Sequence, residues 1–237
     1  MSSSTAKTLM EFYRAMHSRF GHQAWWPGQT PLEICIGAIL TQNTAWSNVE
    51  KALANLYAAG AMSLRRLHEM PAPELAELIR PAGYFNVKAK RLKNFVAAVY
   101  PSWGENLGGI VKGRQVGDGC GFLDRDASTL REELLAISGI GRETADSIVL
   151  YAAGRCTFVV DAYTCRVLGR HRLIGPEDDY ESVKDLLESN LPADVELFND
   201  FHAQFVMVGK TYCRPRPRCE GCPLEGFPHD VDEICNL

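Results

Sequence analysis

Ile137-Ser-Gly-Ile-Gly-Arg-Glu-Thr-Ala145 is the stretch on which the fold turns. Two glycines flank one isoleucine, and helical spacing runs on both sides, from Leu130 to Ile137 and from Arg142 to Ala153. Glycine lets the chain turn tightly and lets backbone N–H groups approach a ligand closely. The second helix opens at once, so its unpaired N–H groups and its dipole face outward, an arrangement suited to a phosphate. Ile140 would pin the hairpin into the core. Gly-Ile-Gly by itself also fits an ordinary helix–helix turn closed by a glycine cap.

Outward from this hairpin the chain stays helical. Residues 6–20 set Leu9, Phe12, Tyr13, Met16 and Phe20 at helical spacing, and Leu32–Leu40 is an apolar run. After the polar break Thr41-Gln42-Asn43-Thr44, Val49–Tyr57 continues helically. Proline suits a first turn, so Pro71-Ala-Pro-Glu opens another helix, and Lys88–Tyr100 is amphipathic. Tyr163–Leu173, Tyr180–Asn190 and Val195–Tyr212 are predicted helices on the other side. Residues 104–121 hold seven glycines and no helical period, which predicts a loop. Val159-Val160 is too short to seed a sheet, so the fold class is all-α.

A chain of 237 residues with 46% hydrophobic content can bury a core in one domain or two small ones. No run of about 18 apolar residues occurs, so no membrane partner is expected. The polar start Met1–Lys7 has no apolar signal core behind it, and the expectation is a cytoplasmic, nucleoid-associated protein. A net charge of −4 leans against nucleic acid, but overall charge is a poor guide where charge is segregated. Lys88, Lys90, Arg91 and Lys93 form one basic group, Arg166, Arg170, His171 and Arg172 a second, and Lys210, Arg214, Arg216 and Arg218 a third. Each alone reads as solvated surface; together they suggest a phosphate-binding face. Of the eight cysteines, Cys35, Cys156 and Cys165 have apolar neighbours and read as reduced core thiols. Cys120 stands apart, and Cys213, Cys219, Cys222 and Cys235 crowd the last 25 residues.

Leu134-x-x-Ile-x-Gly-Ile-Gly-Arg-x-Thr-Ala145 resembles the helix-hairpin-helix of the endonuclease III superfamily of DNA glycosylases. Thr157-Phe-Val-Val-Asp161-Ala-Tyr-Thr-Cys-Arg166 resembles the stretch that carries the family's catalytic aspartate. Ile39-Leu-Thr-Gln42-Asn-Thr44 is similar to the loop that enters the DNA, and Gly83-Tyr-Phe-Asn-Val-Lys-Ala-Lys90 to a further family segment. The resemblance runs from about residue 30 to 222. It implies a two-lobed helical body with the active site in the cleft between lobes. A six-helix lobe of residues 31–143 would end in the hairpin, residues 1–30 with 144–212 would form a second lobe carrying Asp161, and 213–237 a cysteine loop. It also implies a monomer acting on double-stranded DNA with a damaged base, gripped through Gln42, Gly139, Ile140, Gly141, Arg142 and Thr144.

Cutting a base from deoxyribose passes through an oxocarbenium-like sugar, which a carboxylate beside C1′ stabilises while it positions the attacking water. Asp161 is the candidate; it precedes a helix, so it also reads as an N-cap. Family members that cleave the backbone carry a Schiff-base lysine where this chain has Glu143. The resemblance therefore implies base removal by water without lyase activity, with Glu143 either a first-turn residue or a second carboxylate for acid–base work. Trp25-Trp26-Pro27 before the Gln42 loop and Trp46 after it resemble the bacterial 3-methyladenine glycosylases of the endonuclease III class, from which the cysteine loop is a departure. Trp46 with Trp25 or Trp26 would sandwich a flipped, cationic alkylpurine, unless these indoles are core. The alternatives are a glycosylase for oxidised, deaminated or mismatched bases, and a non-enzymatic DNA-binding module.

Cys213-x5-Cys219-x2-Cys222-x12-Cys235 resembles the family's [4Fe–4S] loop, whose usual spacing is x6, x2, x5. Cys235 is then the fourth ligand, with His229 as the substitute, and zinc is the alternative metal.

Overall fold

The computed structural model describes residues 3–231. Among these, the helices run α1 (Ser3–Phe20), α2 (Pro31–Leu40), α3 (Trp46–Ala58), α4 (Leu64–Glu69), α5 (Ala72–Leu78) and α6 (Phe85–Trp103). They continue with α7 (Ala127–Leu135), α8 (Arg142–Ser147), α9 (Ala162–Arg170), α10 (Tyr180–Asn190) and α11 (Val195–Thr211). A two-residue antiparallel hairpin pairs β1 (Ile110–Val111) with β2 (Arg114–Gln115), in the register Ile110↔Gln115 and Val111↔Arg114. The class is all-α, as the periodicity predicts.

The chain divides into two units, one continuous from Trp26 to Arg155, the other formed by the chain up to Trp25 and from Cys156 onward. In the continuous unit every residue of α2 is buried, which accounts for its apolar run; Glu33, the one charge in it, accepts from the Gln29 N–H and the Tyr57 hydroxyl. Thr30 caps it, its hydroxyl accepting the Glu33 N–H at 3.1 Å, and Pro31 opens it. The π-helical turn Ile148–Ala152 extends α8 and packs on α2, so the chain after the hairpin stays with this unit through Arg155. The limits at 26 and 155 differ for that reason from the expected 31 and 143. In the discontinuous unit α11 packs on α9 and α1. Its core is aromatic: Phe201 and Phe205 stack with centroids 4.8 Å apart, and Phe158 meets both and Phe198 edge-on.

Three local features depart from the sequence reading. The glycine-rich stretch contains the small hairpin, closed by Asp124, whose carboxylate accepts the Gly109 and Gly121 N–H groups at 3.0 and 2.7 Å. Helix α4 was unexpected: six residues are too few for a period, and Ser63, whose hydroxyl accepts the Arg66 N–H, is its only local signal. Cys35 and Cys165 are buried, but Cys156 is exposed, because it lies just past the end of the apolar π-helical turn. Cys235 lies outside the described residues. Among the described residues no helix is long and apolar enough to cross a membrane.

Candidate active site

In the continuous unit the hairpin between α7 and α8 is built around Gly139 at φ +97°. A Cβ there would meet Arg91 Cγ at 2.4 Å, so both the backbone and the arginine packed over it demand glycine. Gly141 is different. Its φ of −94° suits any residue, and a Cβ there would meet nothing within 4 Å. Neither strain nor internal packing explains that glycine. The Ile140 N–H closes the turn onto the Ile137 carbonyl at 3.0 Å, and both side chains are buried. Asn94 of α6 holds the Ser138 carbonyl at 2.8 Å. The flanking helices are locked by Arg131 of α7, which grips the fully buried Asp146 of α8 with two bonds of 2.8 and 3.1 Å.

The Gln42 side chain is engaged by the same hairpin. Its Nε2 donates to Thr144 Oγ1 at 2.8 Å and to the Gly139 carbonyl at 3.3 Å, and its Oε1 accepts from Arg91. Thr144 is 5% exposed, and its hydroxyl, expected at the DNA, here accepts from Gln42. Arg142 and Glu143, in the first turn of α8, are exposed.

The basic groups are only partly a surface. Lys88 is 1% exposed and donates to the Leu40 and Ala82 carbonyls, both at 2.8 Å. Lys93 donates to the carbonyls of Leu67, His68 and Met70. These carbonyls end helices and have no intrahelical donor, which draws the amines inward. Burial, with Arg91 nearby, lowers the Lys88 ammonium to about 8.

Trp26 and Trp46 touch at 5.0 Å between centroids with planes at 89°, and Trp26 meets Tyr151 at 5.2 Å. Gly37 of α2 makes room, since a Cβ there would lie 3.3 Å from Trp26 Nε1 and 3.5 Å from Trp46 Cη2. A base sandwiched by two rings needs them parallel with a ring's thickness between them. Perpendicular rings in contact leave no such slot, which corrects the expected Trp46–Trp26 sandwich. Trp25 belongs to the other unit, where Lys210 Nζ lies 5.9 Å from its ring centroid.

In the discontinuous unit Asp161 caps α9. Its Oδ1 accepts the Thr164 N–H at 2.7 Å and the Thr164 hydroxyl at 2.9 Å. Its Oδ2 lies 3.5 Å from His202 Nε2 on α11, with the aspartate side chain 12% exposed and the histidine 6%. Burial works to raise this carboxyl, but the His202 imidazole and then the Thr164 donors hold it below the ordinary aspartate range. His202 was missed by the sequence reading. It is 41 positions from Asp161 within an apolar helix, and only the packing of α11 on α9 brings the two together.

Cys213, Cys219 and Cys222 line one cavity together with Arg170, His171 and His229. Arg170 is buried, donating to Cys213 Sγ at 3.2 Å and to the Arg214 and Pro215 carbonyls. Burial raises the Cys222 thiol, and the neighbouring Cys213 and Cys219 add to this. Three soft thiols facing one cavity, with a guanidinium against one sulfur, suit an iron–sulfur group.

Residues 36–193 match the family described as HhH-GPD superfamily base excision DNA repair protein. The chain belongs to that superfamily. It is 40% identical over 227 residues to a Methanocaldococcus jannaschii protein named "Putative DNA repair glycosylase", covering 96% of this chain and 98% of that one. Among solved structures, an H. pylori 3-methyladenine DNA glycosylase bound to 1,N6-ethenoadenine is similar at 27% identity, with a TM-score of 0.68 over 87% of this chain and 97% of that one. A non-covalent endonuclease III–DNA complex shares the fold, with a TM-score of 0.75 at 21% identity, covering 98% of this chain and 96% of that one.

Proposed function

We propose that this chain is a monofunctional DNA N-glycosylase that hydrolyses alkylated purines from duplex DNA. The observation that carries the reading is the carboxylate of Asp161, nearly buried yet held ionised by His202 and Thr164. An ionised, fixed carboxylate is what a cationic sugar needs beside C1′. The electron pair of the C1′–N bond stays with the base, which leaves neutral because it began cationic. Water adds its oxygen to C1′, and its proton passes to Asp161. His202 acts through Asp161, as a positioning residue.

Phosphate binding falls to the hairpin. The unexplained glycine at 141 and the open space beside it suit the approach of a phosphate to backbone N–H groups, with Arg142 exposed alongside. Gln42, held by Thr144 and Arg91, is the side chain to enter the duplex once released from them. The similar H. pylori protein is a 3-methyladenine glycosylase, and the indoles of Trp26 and Trp46 are electron-rich faces for a cationic purine. One face serves, since the two rings are perpendicular. Glu143 supplies no amine, so no Schiff base forms at the hairpin.

Cys213, Cys219 and Cys222, with Cys235, would hold a [4Fe–4S] cluster; zinc is the alternative. When bound, such a group supplies no acid–base chemistry to base release and ties the arginine-rich loop together. The setting proposed is a monomer at the nucleoid.

The test is single-turnover release of 7-methylguanine from a duplex by the wild type and by Asp161→Asn. The expected loss is about two orders of magnitude or more, with lesion binding retained. Undiminished release removes Asp161 from the mechanism.

A further inference from the structure

We propose that His17, His22 and Asp200 form a binding site for a divalent transition-metal ion of the zinc class, separate from the cysteine loop. The proposal goes beyond the glycosylase reading and stands without it. His17 lies in the last turn of α1, His22 follows the left-handed Gly21 (φ +70°) just past its end, and Asp200 lies in the second turn of α11. One ligand atom from each lies within 4.8 Å of the other two. His22 Nδ1 is 3.1 Å from Asp200 Oδ1, and His17 Nε2 is 4.0 Å from Asp200 Oδ2. Ligands bonded to one ion at about 2.0–2.2 Å sit about 3–4 Å from each other. Small side-chain adjustments therefore bring all three onto a common ion.

The carboxylate supplies the second argument. The Asp200 side chain is 2% exposed. Three neutral donors hold it: the Tyr13 hydroxyl and Gln204 Nε2 on Oδ2, at 3.1 and 3.2 Å, and the Gln23 backbone N–H on Oδ1, at 2.9 Å. A carboxylate offers about four lone-pair positions. The remaining one is on Oδ1, the oxygen nearest His22. The three donors fix the group's orientation, as outer partners of a ligating carboxylate do. None brings a positive charge, and among the described residues the basic groups within ion-pair reach are the two imidazoles. A buried charge needs compensation, which a divalent ion supplies without either imidazole taking a proton. Two imidazoles and a carboxylate suit zinc, cobalt or nickel; magnesium and calcium prefer an all-oxygen shell. Both histidines reach solvent, so an ion can enter and keep water in its open position. Such an ion would clip the end of α1 to α11.

The experiment uses the untagged, cluster-loaded protein. Zinc is titrated in by equilibrium dialysis, zinc and iron are counted together, and the zinc shell is read by X-ray absorption. The expected result is one zinc per chain with nitrogen and oxygen neighbours, its affinity reduced more than about tenfold in His17→Ala and in His22→Ala. Tyr13→Phe, which removes one outer donor, should weaken binding less than either. Failure to bind zinc, a sulfur shell, or equal affinity in the wild type and both histidine variants overturns the proposal.

Discussion

At the scale of single residues, the reading rests on how Asp161 is kept charged. Removing His202 removes the largest influence that lowers this carboxyl, while burial, which raises it, remains. His202→Gln should therefore move the acid limb of the pH–rate profile upward, while the Thr164 donors still hold the carboxyl in place. In the wild type the ionised form, and the stability it contributes, is present above the unfolded-state value and lost only as pH falls through the lower folded one. A variant slowed at every pH with no change in that limb would make His202 merely structural. The capping role of Asp161 was legible from its place before a helix, and the catalytic role proposed for it rests on the motif around it. His202 was not, because a histidine on an apolar helix carries no local mark, and its partner is set by packing between distant helices. The indoles were legible as a group, but their perpendicular contact depends on Gly37, which no pattern in the Trp25-Trp26-Pro27 segment reveals.

At the scale of elements, the hairpin was the most legible part and its supports the least. Gly139 is demanded by its backbone angle, as the sequence suggested, yet Arg131 and Asp146, which lock α7 to α8, look like ordinary surface charges in the chain. Arg131 keeps 22% of its side chain exposed, so Asp146→Ala should lower stability by less than the about 3–5 kcal/mol of a fully buried pair, in denaturant titrations. Lys88 ties the end of α2 to the turn before α6, steadying the Gln42 loop. Its folded value of about 8 lies below the ordinary 10.5, so the unfolded chain binds more protons between these two pH values. Its contribution to stability should rise with pH across that window, and in Lys88→Met that part of the rise should vanish from melting curves. Glu143 in the first turn of α8 offers no amine, so borohydride should trap no covalent complex on damaged DNA. A trapped complex would reveal another amine at work.

At the scale of the molecule, the all-helical class and the longer helices were readable because amphipathic periods and caps are local. The division into units was less so, because the partner of the apolar turn Ile148–Ala152 is α2, more than a hundred residues earlier. The cysteine spacing singled out Cys213, Cys219 and Cys222, which line one cavity, and Arg170 against Cys213 is the contact no spacing foretold. Anaerobically purified protein should absorb near about 400 nm and hold about four irons, with both lost in Cys219→Ser. Zinc in a sulfur shell, without iron, would reassign the loop. The central claim, hydrolytic release of a cationic purine, is tested most directly by product analysis. Purified protein is incubated with duplexes carrying single defined lesions, and the freed base is identified by mass spectrometry. The account predicts free 3-methyladenine or 7-methylguanine, with an intact abasic strand left behind. Release of uracil or an oxidised pyrimidine with methylated purines untouched, or a strand cut by elimination, would contradict it.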